Sequence, residues 1–138
     1  MKKFIPALVL ASAMPVVLPG CLVMTPVNAE PPLTAEQIMN EEADRTLAEA
    51  VALYEKGYYD NAEARLLDET LWQGSWQTQA EASKYLAFIY CITEREQLCR
   101  HAFERAMHLD LSFTLSTAEA SHPLWGPQYR LARYGKAD

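Results

Sequence analysis

The sequence is short of most of what catalytic chemistry is built from. It has five glycines and no glycine-rich loop, so it offers no phosphate cradle. There is no serine nucleophile elbow. Its three cysteines are Cys21, Cys91 and Cys99, and its three histidines are His101, His108 and His122. None of them stands in the C-x-x-C-H pattern that attaches haem. Cys91, Cys99, His101 and His108 match no usual zinc spacing, and His101 lies on a different helical face from Cys99. With no constellation to assign, the chain reads as non-enzymatic, with no cofactor and no metal. Basic residues are scarce too: 12 Lys and Arg stand against 18 Asp and Glu. That balance argues against nucleic acid and against a polybasic hold on anionic lipid.

What is present begins with an export signal. Met1-Lys2-Lys3 is a basic start, and FIPALVLASAMPVVLPG is an apolar run that is short for a membrane span and interrupted by Pro6 and Pro15. Leu18-Pro19-Gly20-Cys21 resembles a bacterial lipobox, which makes Cys21 the lipid-bearing N-terminus of the mature chain. Pro19 stands where a small residue is usual. A rival cleavage site, Val27-Asn28-Ala29, would release a soluble periplasmic protein. The length of the apolar run fits Cys21 better. Loss of residues 1–20 removes Lys2 and Lys3 and no acid, leaving 18 acidic and 10 basic residues, a net of −8. Residues 21–33 then form a lipidated flexible linker with three prolines and no periodicity. About 12 extended residues would reach about 40 Å. Leu22, following the cysteine, is not an inner-membrane retention signal, so the expected location is the outer membrane, facing the periplasm.

Residues 34–138 form the folded domain. Its clearest stretch is YLAFIYCITEREQLCRHAFERAMHLDL, residues 85–111. Leu86, Ala87 and Tyr90 share one helical face, and Cys99, Ala102, Phe103 and Ala106 share another. Two antiparallel helices joined by a tight turn follow, with Thr93 and Glu96 as a capping box. This order of leucine, small residue and aromatic, with a second small residue twelve positions on, is the tetratricopeptide pattern. Leu111 replaces its closing proline. A weaker copy covers residues 47–72, with Ala50 and Ala62 in the small positions and Leu66 for the aromatic. Thr34 with Gln37 caps a long first helix over 35–56, whose buried stripe is Ala43, Leu47, Ala50, Val51 and Tyr54. Asp60 with Glu63 caps a helix over 61–72, and Thr78 with Glu81 caps one over 79–92. Another runs over 94–108. Ser116 and Glu119 cap a short turn in the tail. Pro123 opens a last helix that Pro127 loosens and through which Tyr129 and Ala132 dock. The expected fold is all-α: about five helices, as two stacked tetratricopeptide-like hairpins with a C-terminal cap, since a stack of repeats exposes apolar surface at an open end.

Several residues carry two readings. Cys91 and Cys99 flank the turn on facing stripes, in an exported and hence oxidising context, which favours a disulfide. The alternative is two small thiols filling a close helix contact. Trp72, Trp76 and Trp125 stand in or beside connections, either as covers for the ends of the helix pairs or as an aromatic patch for a partner. Burial is the favoured reading. The acids Glu41, Glu42, Glu63, Asp68 and Glu69 read as solvated helix faces. His122 reads as a cap or turn residue.

The signal ending in Cys21, the block LAFIYCITEREQLCRHAFERAM and the tail FTLSTAEASHPLWGPQY together resemble the TssQ-type lipoproteins associated with bacterial type VI secretion. The resemblance covers residues 79–133 well and the first half loosely. It implies a small accessory lipoprotein of an envelope-spanning contractile injection apparatus, with no enzymatic activity and with protein partners among the envelope components. A second reading is a pilotin-like lipoprotein assisting assembly of an outer-membrane pore or pilus.

Overall fold

The computed structural model describes residues 31–135, and all regular structure among them is helical. The export signal, Cys21 and the rival site Ala29 lie outside the described residues. Seven helices stand where about five are expected: α1 Ala35–Glu55, α2 Tyr59–Leu66, α3 Glu69–Trp72, α4 Trp76–Ile92, α5 Glu96–Leu109, α6 Thr117–Ala120 and α7 Gly126–Tyr134. The extra two come from a break in the second expected helix and from a tail that folds as two short helices.

The first helix starts as its sequence dictates. The Gln37 N–H donates to Thr34 Oγ1 at 3.2 Å, and the Thr34 N–H donates to Gln37 Oε1 at 2.8 Å. It ends before Gly57, which takes φ +79, a conformation glycine adopts without a Cβ penalty. The expected helix over 61–72 breaks because Asp68 competes for the backbone. Its carboxylate accepts the Thr70 N–H at 3.0 Å and opens α3. Asp60 caps nothing: α2 begins at Tyr59 without a side-chain cap. Ser75, not Thr78, caps α4. Thr93 is spent on the end of α4, donating to the Ile89 carbonyl at 2.8 Å, so α5 starts at Glu96 without the expected box. The Ser116–Glu119 box forms as expected. The last helix begins at Gly126 rather than Pro123. Pro127 therefore sits in its first turn, where its missing N–H costs nothing, and does not loosen it.

The four small residues expected at helix crossings, Ala50, Ala62, Ala87 and Cys99, are all at 0% exposure. Their size lets α1 approach α2 and α4 approach α5. Gly74 serves the same end: a Cβ there would run into the side chain of Ala43 on α1. On α1 the buried face is Ala43, Thr46 and Ala50, while Leu47, Val51 and Tyr54 are only half-buried. The stripe is thus turned from the expected one. The reason is that α1 lies against α2, α3 and α4, and its other side meets solvent.

The helix at the centre is α4. It packs on α1, α2, α3 and α5, and Ala82, Ser83, Leu86, Ala87, Phe88, Ile89 and Cys91 are buried around most of its circumference. The α4–α5 pair is antiparallel. Phe88 meets Phe103 at 6.0 Å between ring centres, and nearer the turn Cys91 is disulfide-bonded to Cys99, with Cα atoms 5.2 Å apart. The favoured reading of this pair, a bridge and not two free thiols, is the arrangement found. Closing this short loop in the unfolded chain stabilises the fold by roughly 2–3 kcal/mol. We expect Cys91→Ser/Cys99→Ser, or reduction, to lower the melting temperature on the order of 10 °C for a domain of this size. An unchanged melting curve after verified reduction would contradict this.

Candidate functional site

The sequence nominated aromatic residues, and the structure separates them. Trp125 and Tyr129 are core residues, 8% and 5% exposed. Trp125 stacks on Phe88 at 4.3 Å and on His122 at 3.5 Å, and its Nε1–H donates to the Glu119 carbonyl at 2.8 Å. His122 Nδ1 in turn accepts the Leu124 N–H at 3.3 Å, so this histidine shapes the turn, as its position suggested. Gly126 is required by the fit, since a Cβ would stand 2.6 Å from the Ala120 carbonyl oxygen. Tyr129 meets Phe103 edge-on at 5.4 Å. The segment His-Pro-Leu-Trp-Gly-Pro-Gln-Tyr is thus a cap over the α4–α5 pair and not a free docking peptide.

Trp72 is half-buried. Its Nε1–H donates to the Leu66 carbonyl at 3.0 Å, and the Arg105 guanidinium lies 3.7 Å from its ring centre. Trp76 overturns the expectation of burial: it is the first residue of α4 and 49% exposed. It directly follows the Ser75 cap, ahead of Thr78, the first buried residue of α4. The three tryptophans do not converge on one patch.

The acidic residues also need correction. Glu41 and Glu42 are exposed as expected. Glu63 is not simply solvated: its carboxylate takes the fork of Arg95 at 2.8 and 2.5 Å, tying α2 to the start of α5. Arg65 holds Glu49 on α1 at 2.7 Å and Asp68 at 2.9 Å. Hydrogen bonding from Thr70 comes first in holding Asp68 below the ordinary carboxylate range, with Arg65 adding to it.

What sequence reading missed is a shallow cleft of about 450 Å³ where α1 lies beside α4. Its floor is Leu47, Ala48, Val51, Ala52 and Tyr85, and its rim carries Asp44, Glu55 and Glu81. Two of the three rim carboxylates are held in place. Thr78 Oγ1 donates to Asp44 Oδ1 at 2.6 Å, and Lys84 Nζ contacts Glu81 at 2.6 Å and Glu119 at 3.5 Å. Tyr54 backs the cleft, edge-on to Tyr85 at 5.3 Å, and burial pushes its hydroxyl up to about 12, with Tyr59, Tyr85 and Glu119 adding to the shift. Glu81 and Tyr85 are four apart on α4 and Leu47 and Val51 four apart on α1, so each pair shares a helical face that the sequence shows. Their apposition depends on packing across 34 residues of chain.

An apolar floor with a carboxylate rim is complementary in chemistry to an apolar segment bearing cations. No group of three or more His, Cys, Asp or Glu able to hold a metal ion occurs among the described residues. Among them, too, no helix is long and apolar enough to cross a membrane. No protein-family model, curated protein or solved structure matches the chain.

Two outcomes follow from this geometry. Trp125→Ala removes a stacked, hydrogen-bonded ring from the core, and we expect it to cost about 3 kcal/mol of stability by chemical denaturation. A loss below about 1 kcal/mol would mean the cap does not depend on this ring. The second concerns acid. Partial burial works to raise Glu119, but hydrogen bonds from the Ser116 hydroxyl and N–H, together with Lys84, hold it below its ordinary value of 4.5. A depressed carboxylate contributes stability above its unfolded value that is lost as pH falls through its folded one. Glu119→Gln should therefore cost stability at neutral pH and flatten the decline in melting temperature below about pH 4.5. Parallel wild-type and variant curves across that range would refute this assignment.

Proposed function

We propose that the chain is a non-catalytic, lipid-anchored protein-interaction module accessory to a cell-envelope secretion apparatus, and that the α1–α4 cleft receives the partner. The observation that carries this is the cleft itself: five apolar or aromatic side chains on the floor, three carboxylates on the rim, and a rim position fixed by Thr78 and Lys84. Such a surface suits a segment with lysine or arginine beside aliphatic residues. The disulfide supports passage through an oxidising compartment. The resemblance of the tail and the α4–α5 block to type VI secretion-associated lipoproteins supports the choice of apparatus, with Cys21 as the anchor at the outer membrane. The two hairpins supply the tetratricopeptide-like frame, too short for a deep superhelical groove, so the partner meets a shallow face.

Ala48 is exposed on the cleft floor, so Ala48→Arg puts a long cationic side chain into the cleft without disturbing the core. We expect this variant to keep the wild-type melting temperature. It should also lose secretion by the contractile apparatus of its host and lose photo-crosslinking from position 52 to an envelope component. Unimpaired secretion by a strain lacking the whole chain would remove the assignment to that apparatus. Wild-type crosslinking in Ala48→Arg would remove the cleft.

A further inference from the structure

On the other side of α4 lies a second surface of opposite character. Leu98, His101, Arg105 and His108 fall three, four and three residues apart on α5 and so share one stripe. The carboxylate nearest it on α5 is Glu104, three residues from His101 and four from His108, and it lies 3.9 Å from Arg100 on its other side. The stripe borders a cleft of about 160 Å³ between α2, α4 and α5, where Leu67, Leu86, Leu98 and Ala102 supply the apolar lining. Leu67 and Leu98 are 51% and 46% exposed. The polar group in the floor, Ser83 Oγ, already donates to the Gln79 carbonyl at 2.9 Å, so the floor needs no polar ligand. Arg105 is held flat over Trp72 and has no ion-pair partner among the described residues. Cleft and guanidinium together fit an apolar side chain with a carboxylate a turn away.

The chain carries such a segment. The first residue of α1 to be buried is Ala43, so the first two turns of the helix stand clear of the body. Ile38 and Met39 are 50% and 41% exposed there, beside Glu36, Glu41 and Glu42. Ile38 shares a face with Glu41 and Glu42, three and four residues on. Within one copy the two surfaces do not meet, because α1 is committed from Ala43 onward to α2, α3 and α4.

We propose that the chain self-associates through these surfaces: the start of α1 in one copy lies on the α5 stripe of a second copy. Ile38 enters the Leu67–Leu98 cleft, and Glu41 and Glu42 face Arg105. The contact joins different patches. Two copies close it by exchanging α1 ends about a twofold, and otherwise it propagates head to tail. Its α5 half lies on the side of α4 away from the α1–α4 cleft, and the contact does not rest on that cleft having a partner.

The test is a photo-crosslinking amino acid at position 38 of the full chain, expressed in cells as a mixture of isotopically light and heavy copies. The expected product is a peptide joining position 38 of one isotope to residues 98–105 of the other. Arg105→Glu should reduce its yield about tenfold, as loss of an interfacial charge pair does. Leu98→Lys, at an exposed position, should do the same if Arg105→Glu impairs folding through Trp72. Adding Glu41→Lys and Glu42→Lys to Arg105→Glu should restore the yield. Crosslinks only within one copy or only to a different protein would overturn the proposal, as would a yield unmoved by both single variants.

Discussion

Close approach at the small residues is the constraint on which the remaining structure depends. With Ala50 against α2 and Ala87 against Cys99, the helix backbones come near enough that larger neighbours interlock around each crossing. A larger side chain at any of these positions would force the pair apart, and no rearrangement of the surface could restore the lost contacts. The disulfide sits at one of these crossings. It fixes the α4–α5 turn in a domain whose core is otherwise built from few large residues: Leu66, Leu71, Ile89 and Phe103 are the largest apolar side chains fully buried.

From that frame an aromatic path runs through the domain. Tyr54 touches Tyr85, Tyr85 touches Phe88, Phe88 touches Phe103 and Trp125, and Phe103 touches Tyr129, with ring centres 4.3–6.0 Å apart along this path. It begins on α1 and ends on α7, so the first hairpin and the cap share one packed unit although α2 to α6 lie between them in the chain. Lys84 repeats the connection in charge. Burial alone would lower its pKa, but Glu81 and Glu119 outweigh that and hold the ammonium above the ordinary lysine value. One contact belongs to the cleft rim and the other to the tail. The tail is thereby a condition for the cleft as well as a lid on the second hairpin.

Much of this was legible in the sequence, and the failures share a cause. Spacing located the helical hairpins, the small crossing residues and the capping boxes at Thr34 and Ser116; the oxidising context added the bridge between Cys91 and Cys99, and the open end of the stack added the cap made by Trp125 and Tyr129. Each of these depends on residues close in the chain or on periodicity within one helix. The break at Asp68 was missed because a carboxylate that can cap a helix can also sit on its surface, and only Arg65 and Thr70 decide which. Thr93 has the same ambiguity: its spacing to Glu96 suits an opening of α5, but its hydroxyl donates to the Ile89 carbonyl at the end of α4. Trp76, Glu63 and the α1–α4 cleft turn on contacts between distant segments, which periodicity does not encode.

Charge is sorted across α4 in a way that the net value conceals. The Asp44, Glu55 and Glu81 rim lies on one side of that helix, and the His101 and Arg105 stripe on the other. Helical geometry enforces this separation: Glu81 and Tyr85 project on one side of α4, while Ser83, Leu86 and Tyr90 project on the opposite one. A partner segment rich in cations is drawn to the first surface and repelled from the second, and an acidic segment the reverse. Two contacts of opposite chemistry can then form on one small domain without competing. The same sorting accounts for the place of the exposed start of α1. Its carboxylates would repel an acidic rim, and the proposed contact sets them instead against Arg105 of another copy. A negative net charge disfavours random association of copies. It leaves room for one specific contact, provided that contact pairs the few unopposed cations with acids held on a rigid helix.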